Sequence, residues 1–447
     1  KMADQYAGLE VAESLFKENI AKGLYSYVNR AAKFYGRIEE GEAMETNSRG
    51  VRIVAEVEAN PSNRSFAEGG KYAPFSFPRD INMRVFWTRH SKGRGYSRDE
   101  YEALMSSQTS IVTGLTRDIK RETGDLIKVI NFMSWNDGSG VVARVDSAGS
   151  PVVTGANGTV RFAYDGGSYH ILVRGRYNFI NPATGLARLN GGSTAFVSTV
   201  ASKTSSTQTV TFDTVPSDAA AGDYLVYEDS YLSALHGVPY HVNNDTGAYQ
   251  GQSRALYENL RSVVIDAAVS SVAQPLSTAL LDRMEAQTMY LHGTDTDSEN
   301  TDDWQWWTSP CQEVAYIRLG DPLHRVIKTA QVEVLNLGYK LNGKGIQHRH
   351  KWEIDTDHQD NRIDGLKLST FKKFLAPGGT PGFISKVEGG YWREVPSFDS
   401  TGVGGYFDRT GFYMGFRMDI GNVSPFSNGA IINLATTGLP NKKSAYA

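Results

Sequence analysis

The stretch that opens Ser97-Arg98-Asp99-Glu100-Tyr101 and closes Asn136-Asp137-Gly138-Ser139-Gly140 reads as one continuous helical pattern. Ser97 and Glu100 have capping-box spacing, in which each side chain satisfies the other residue's free backbone donor. Behind them Leu104, Met105, Ile111, Val112, Leu115, Ile119, Leu126, Val129, Ile130 and Met133 recur mostly at steps of three and four, the spacing of one buried helical stripe. The run stops at a turn-forming cluster rich in Gly and Asn. The spacing predicts a helix from Ser97 to about Met133. At 1.5 Å per residue, about 36 residues would span roughly 54 Å, longer than a compact domain needs. Gly114 and Gly124 each cost about 1 kcal/mol relative to Ala and mark places for a bend.

Working outward, residues 51 to 90 read as a two-stranded excursion. Val51 to Glu58 is β-prone, and in Asp80 to His90 the residues Ile81, Met83, Val85 and Trp87 share one face at period two. Between them Asn60-Pro61-Ser62-Asn63, Gly69-Gly70 and the Pro74/Pro78 pair form a wide, turn-rich tip. Isolated ribbons are marginal in water, so the apolar face is expected to lie on another subunit. Residues 9 to 40 form an amphipathic segment through Val11, Leu15, Ile20, Leu24 and Val28, suited to docking.

Residues 151 to 232 change character, with β-prone runs at 159–164, 169–174, 195–200, 208–212 and 224–228 between turns. They read as a small β-barrel or sandwich inserted into the larger fold. Helical pattern returns at Ser253 to Ala273 and at Ser277 to Tyr290. An acidic loop, 295 to 303, then precedes Trp304-Gln305-Trp306-Trp307 and a strand at Val314 to Leu319. Further strands are expected at 331–355, 361–375 and from Pro377 to Leu434, with a loosely held polar tail from 436 to 447. The fold class is therefore α+β.

The chain has 447 residues, 46 basic against 49 acidic, and a single cysteine, Cys311. Balanced charge leaves no chain-wide field to attract nucleic acid or membrane. One cysteine excludes an intrachain disulfide and a multi-cysteine metal centre. No apolar run reaches the length that spans a bilayer, and folding in a reducing cytoplasm is expected.

Chemical motifs are sparse. The acidic loop departs from a calcium-binding loop, with Asn300 where Gly is needed and Trp306 where a bidentate Glu belongs. His348, His350 and His358 with Asp355 and Asp357 have weak metal-site spacing, and His348 and His350 share a strand face with Ile346, Trp352 and Ile354 as an ordinary sheet would arrange them. There is no nucleophile elbow, no P-loop and no placed dinucleotide fingerprint. No catalytic residue, cofactor or metal is expected. Arg84, Arg89, Lys92, Arg94 and Arg98 form a local basic cluster, as do Lys372-Lys373, either of which would meet phosphates or neighbouring carboxylates.

The order of parts is more informative than any motif. Ala73-Pro74-Phe75-Ser76-Phe77-Pro78 precedes the returning strand, and Gly237-Val238-Pro239 enters a central domain. Leu276-Ser277-Thr278-Ala279-Leu280-Leu281 opens a helix, and Ser424-Pro425-Phe426-Ser427-Asn428-Gly429 precedes the last strand. With an N-terminal arm, a long two-stranded loop and an extended helix, this order resembles the major capsid proteins of tailed bacteriophages, which have the Hong Kong 97 capsid fold. The resemblance covers nearly the whole chain except 151 to 232, which looks like an inserted domain.

The resemblance implies a virion shell subunit and no enzyme. Residues 1–50 would be the N-terminal arm, 51–96 the extended loop, 97–150 the peripheral domain with its spine helix and 151–232 the β-rich insertion. Residues 233–375 would form the axial domain and 376–447 the peripheral strands and tail. Lys71, Tyr72, Phe75, Phe77, Arg79, Arg84, Trp87 and Arg89 would make inter-subunit contacts. Implied partners are copies of the chain in hexamers and pentamers, scaffolding and portal proteins, a decoration protein and encapsidated double-stranded DNA, with no membrane. Some family members link this loop to a neighbour by a Lys-Asn isopeptide bond. Lys71 is the only Lys of the tip, but no partner Asn or activating acid is identifiable, and no link is expected. Two rival readings are an encapsulin-like compartment shell on the same fold, and a β-rich carbohydrate-active protein using Trp306 or Trp392.

Overall fold

The computed structural model describes residues 32–42, 45–58, 62, 79–97, 108–147, 152–163, 168–189, 196–204, 207–292, 304–324, 339–341, 344–346, 351–377, 380–383, 392–398, 404–439 and 442. Their fold is mixed α+β, mostly sheet with few helices. In chain order the main elements begin with strands β1 (Gly50–Glu58), β2 (Arg79–Phe86) and β3 (Thr88–Ser97) and helix α1 (Gln108–Ser134). Strands β4 (Val141–Arg144), β5 (Thr159–Arg161), β6 (Arg176–Ile180), β7 (Val197–Thr204), β8 (Thr209–Phe212), β9 (Tyr224–Tyr227) and β10 (Val263–Asp266) follow. Next come helix α2 (Thr278–His292), strand β11 (Trp304–Thr308), helix α3 (Pro310–His324) and strands β12 (Lys351–Ile354), β13 (Ile363–Lys367) and β14 (Phe371–Leu375). The chain closes through β15 (Trp392–Phe398), β16 (Gly404–Asn422) and β17 (Gly429–Ile432).

The chain divides into two compact units. The first holds the described residues of Lys1–Arg52, Arg84–Ser134 and Lys372–Gly421. Its sheet is built on β16, a 19-residue strand. β3 pairs antiparallel along it from Ser97↔Arg409 to Thr88↔Met418, and β15 pairs with it from Trp392↔Phe412 onward. Met414, Phe416, Met418 and Ile420 alternate along β16 and are all buried, as period two requires of a strand with one face in a core.

Helix α1 covers the predicted long helix from Gln108 onward. It has 27 residues, about 40 Å at 1.5 Å each, and runs through Gly114 and Gly124. Of the predicted start, Ser97 closes β3 opposite Arg409, an extended conformation that a capping residue also takes. Residues 98–107, on which the rest of that start falls, lie outside the described residues. Ile119, Thr123, Leu126, Ile130 and Met133 are buried, a single stripe at helical spacing. Burying each apolar member contributes about 1.5–3 kcal/mol.

The second unit holds the described residues of Ile53–Met83, Trp135–Phe371 and Asn422–Ala447. It opens on the turn that follows α1. Gly138 and Gly140 have φ of +82° and +76°, conformations that Gly adopts without strain. A Cβ on Gly140 would stand 2.5 Å from the Ser230 carbonyl oxygen. The turn feeds β4 into an antiparallel sheet of order β4-β9-β6-β7-β8-β5. This sheet thus includes a strand at Val141–Arg144, ahead of the β-prone stretch 151–232. The strand expected at 169–174 is displaced to β6, because Arg174 takes φ +66° and Gly175 donates to the Leu172 carbonyl in a turn (3.0 Å). Phe162, Phe179 and Phe212 interlock edge to face with centroids 5.3–6.4 Å apart.

The second sheet has order β10-β17-β13-β11-β12. β10 and β17 are parallel, as are β11 and β12, and the pairs join antiparallel through β13. Helix α2 presents Leu281 and Met284 to Trp306, Ile363 and Ile431 in one buried core. Two expectations fail here. Residues 253–273 contain no α-helix but β10 and a tight turn, since the β-branched run Val263-Val264-Ile265 suits a pleated, packed position better than a helix. Val314–Leu319 lies inside helix α3 and is not a strand. Pro310 occupies the first helical position, where its missing N–H costs nothing, and the strand is instead β11. Ser277 to Tyr290 matches α2 closely. Of the tail, the described residues Gly438 and Lys442 are tied down: Arg318 donates to the Gly438 carbonyl (2.9 Å) and Lys442 Nζ to the carbonyls of His358 and Asp357 (3.1 and 3.3 Å).

Candidate assembly surfaces

Strands β1 and β2 lie side by side in a sheet with Glu45–Thr46. Ile81, Met83 and Val85 are buried while Asp80, Asn82, Arg84 and Phe86 are exposed, the alternation predicted. The inference drawn from it needs correction. Val51, Ile53 and Ala55 on β1 and Ile81, Met83 and Val85 on β2 are already buried by the chain itself, at 7% exposure or less, so this apolar face does not require another subunit. Trp87 sits between β2 and β3 and donates from Nε1 to the Asn47 carbonyl (3.1 Å). Arg84 and Arg89 are exposed, and Phe86 is 51% exposed beside them. Arg79 begins β2. Lys71, Tyr72, Phe75 and Phe77 lie outside the described residues, so only the strand-borne members of the proposed contact set can be placed.

The basic clusters singled out in the sequence are mostly engaged within the chain. Lys92 on β3 meets Glu122 (2.7 Å) and Asp125 (2.6 Å) on α1, and Arg94 faces Asp118 at 3.6 Å. Burial alone would lower the pKa of Lys92, but the hydrogen bonds it donates to Asp125 and Glu122 hold it above its ordinary value. Lys372 pairs with Glu39 (2.6 Å), and the Lys373 ammonium lies 4.8 Å from the centre of the Tyr35 ring. His90 stacks on Phe416, and burial pushes its pKa down to about 4.

Sequence reasoning missed a second set of cations. Arg117, Lys120, Arg121 and Lys128 on α1 are all exposed. Their signal was present, since steps of three, one and seven put them on one side of a helix, opposite Ile119, Leu126 and Ile130.

Of the residues that suggested metal chemistry, His358 is held in a structural cluster. His358 Nε2 lies 2.9 Å from Asp364 Oδ2, and Arg362 reaches the same carboxylate at 2.7–2.9 Å and the Val242 carbonyl at 3.0 Å. The Trp135 ring packs against His358 with centroids 4.4 Å apart and the planes tilted by 59°. Burial alone would raise the pKa of Asp364, but the Arg362 charge and the hydrogen bonds of His358 and Arg362 hold it below the usual carboxylate value. Both nitrogens of His358 are occupied, the second by the Gln359 carbonyl. Among the described residues no three His, Cys, Asp or Glu side chains converge as a metal would need; His348, His350 and the 295–303 loop lie outside them. Burial, with the Asp360 carboxylate, pushes the Cys311 thiol up to about 12, which suppresses the reactive thiolate. Trp306 is fully buried and cannot stack on a sugar. Among the described residues no helix is long and apolar enough to cross a membrane.

No family model and no curated relative matches the chain. Solved structures do. The cyanophage A-1(L) capsid asymmetric unit is similar at 12% identity and a TM-score of 0.44, covering 89% of this chain and 90% of that one. These neighbours are capsid proteins. The capsid of a native GTA particle covers 91% of both chains at 8% identity and TM-score 0.39. The capsid of Ralstonia phage GP4 covers 91% of this chain and 89% of its own at 10% identity and TM-score 0.37.

Proposed function

We propose that the chain is the major capsid protein of a tailed phage with the Hong Kong 97 fold, a structural subunit and not an enzyme. It assembles with itself as hexamers and pentamers into an icosahedral shell around double-stranded DNA, in the host cytoplasm and with scaffolding and portal proteins. The order of elements carries this reading. A two-stranded ribbon, β1 and β2, leads through β3 to the long helix α1. An inserted antiparallel sheet and a mixed sheet with helices follow, and the 19-residue strand β16 returns to pair with β3.

In this reading residues 1–50 are the arm, 51–96 the extended loop, 151–232 the insertion, 233–375 the axial domain, and 97–150 with 376–447 the peripheral domain. Because the base of the ribbon covers its own apolar face, contact with a neighbour falls to Lys71, Tyr72, Phe75 and Phe77 at the tip and to Arg79, Arg84 and Arg89 on the strands. A decoration protein would add to the outer face of the shell.

Negative-stain microscopy of the expressed full chain, alone and with its scaffold, tests the proposal. Shells, rings or capsomers are expected. A chain that stays strictly monomeric at high concentration in both conditions overturns it.

A further inference from the structure

Helix α1 carries an exposed face that its own unit leaves unused. At about 100° per residue, Arg117, Lys120, Arg121, Gly124 and Lys128 fall within an arc of about 100°. Ile119, Leu126 and Ile130 point the opposite way into the core. The Arg117 and Lys128 side chains are 82% and 81% exposed. Lys120 and Arg121 are exposed and make no ion pair or hydrogen bond among the described residues. The acidic residues beside the strip, Asp118, Glu122 and Asp125, face Lys92 and Arg94 of β3, so the positive field of the strip is not cancelled. Only long contacts reach back from it, Arg117 to Asp118 at 3.7 Å and Lys128 to Asp125 at 3.9 Å.

We propose that this strip is the face the shell turns toward packaged double-stranded DNA, where it binds phosphates without reading sequence. The proposal rests on the capsid reading and assigns its inner surface. From Arg117 to Lys128 the strip runs about 16 Å, over which a duplex presents about ten phosphate charges. No aromatic residue stands in the arc, so it has nothing on which to stack the bases of a single strand. It also has no apolar residue and is made of Lys and Arg, whereas the cores of protein interfaces are depleted of charge. Gly124 stands mid-strip with no atom within 4 Å of the place a Cβ would take, which leaves room for a phosphate backbone to approach.

The test is binding of a fluorescent 40-base-pair duplex to full-length capsomers between about 50 and 200 mM salt. The variant is the combined Arg117→Gln, Lys120→Gln, Arg121→Gln and Lys128→Gln chain. With about 0.9 in log–log salt slope per phosphate contact, the variant should lose about 3 to 4 from the slope and bind at least tenfold more weakly at the lowest salt. Lys128→Gln alone should lose about 1, and the charge-keeping Arg117→Lys, Arg121→Lys pair should keep the slope, which guards against a misfolded quadruple variant. Unchanged affinity and slope in the variants, or no duplex binding by the wild type at low salt, overturns the proposal. So does a variant that keeps its helix content but no longer assembles, since the strip would then be a subunit interface. A wild type that binds duplex through these residues but never assembles removes the capsid reading and leaves the strip as a duplex-binding face.

Discussion

The buried pair of Arg362 and Asp364 shows how much a single residue can decide. Asp364 is fully buried and accepts from both Arg362 and His358. Its pKa is held below the ordinary value of 3.8. A depressed carboxylate contributes stability that is present above its unfolded pKa and is lost as pH falls through the folded one, so this cluster favours the fold at neutral pH and weakens in strong acid. Asp364→Asn leaves Arg362 buried without its counter-charge. The expected loss is about 3–5 kcal/mol, read as a lower denaturation midpoint at pH 7. An unchanged midpoint would mean that water or the Val242 carbonyl already compensates Arg362.

At the scale of elements, the turn between β10 and α2 stands out. Val269 and Val272 exchange both backbone hydrogen bonds at 3.0 Å, and the two residues between them, Ser270 and Ser271, have φ of +51° and +64°. This is the backbone of a tight primed turn, for which Asn-Gly is the favoured pair. Each L-residue in the left-handed region costs about 1–2 kcal/mol, while Gly adds its own entropic cost on folding. The Ser270→Asn, Ser271→Gly double variant should therefore be more stable by about 1 kcal/mol in chemical denaturation. A variant less stable than the wild type would show that the serine side chains make a compensating contribution.

At the scale of the whole molecule, neither unit is a contiguous piece of sequence. The central stretch Trp135–Phe371 contains most of the second unit but lacks β17, which stands between β10 and β13 in the mixed sheet. Removing it leaves β10 without a neighbour and the β13-β11-β12 group with unpaired backbone groups and an open core. A fragment spanning 135–371 is expected to aggregate or to lack dispersed amide resonances, whereas one extended to residue 439 should fold. Equal folding of both fragments would show that β17 adds little to the sheet.

The sequence by itself determined the local periodicities: the alternating face of β2, the buried stripe of α1, the glycines at 138 and 140, helix α2 and the Pro425 turn before the last strand. Each rests on neighbours within a few residues, where steric and hydrogen-bonding rules act directly. Tertiary structure decided what local rules leave open. Pairing with Arg409, more than 300 positions away, made Ser97 a strand end; pairing with β17 and β13 turned Val263-Val264-Ile265 and Trp304-Gln305-Trp306-Trp307 into strands of one sheet. The charged residues divided in the same way. Lys92 and Arg94, conspicuous as a cluster, are neutralised by acids that only folding brings to them, while Arg117, Lys120, Arg121 and Lys128 become a face only because the core claims the other side of the helix.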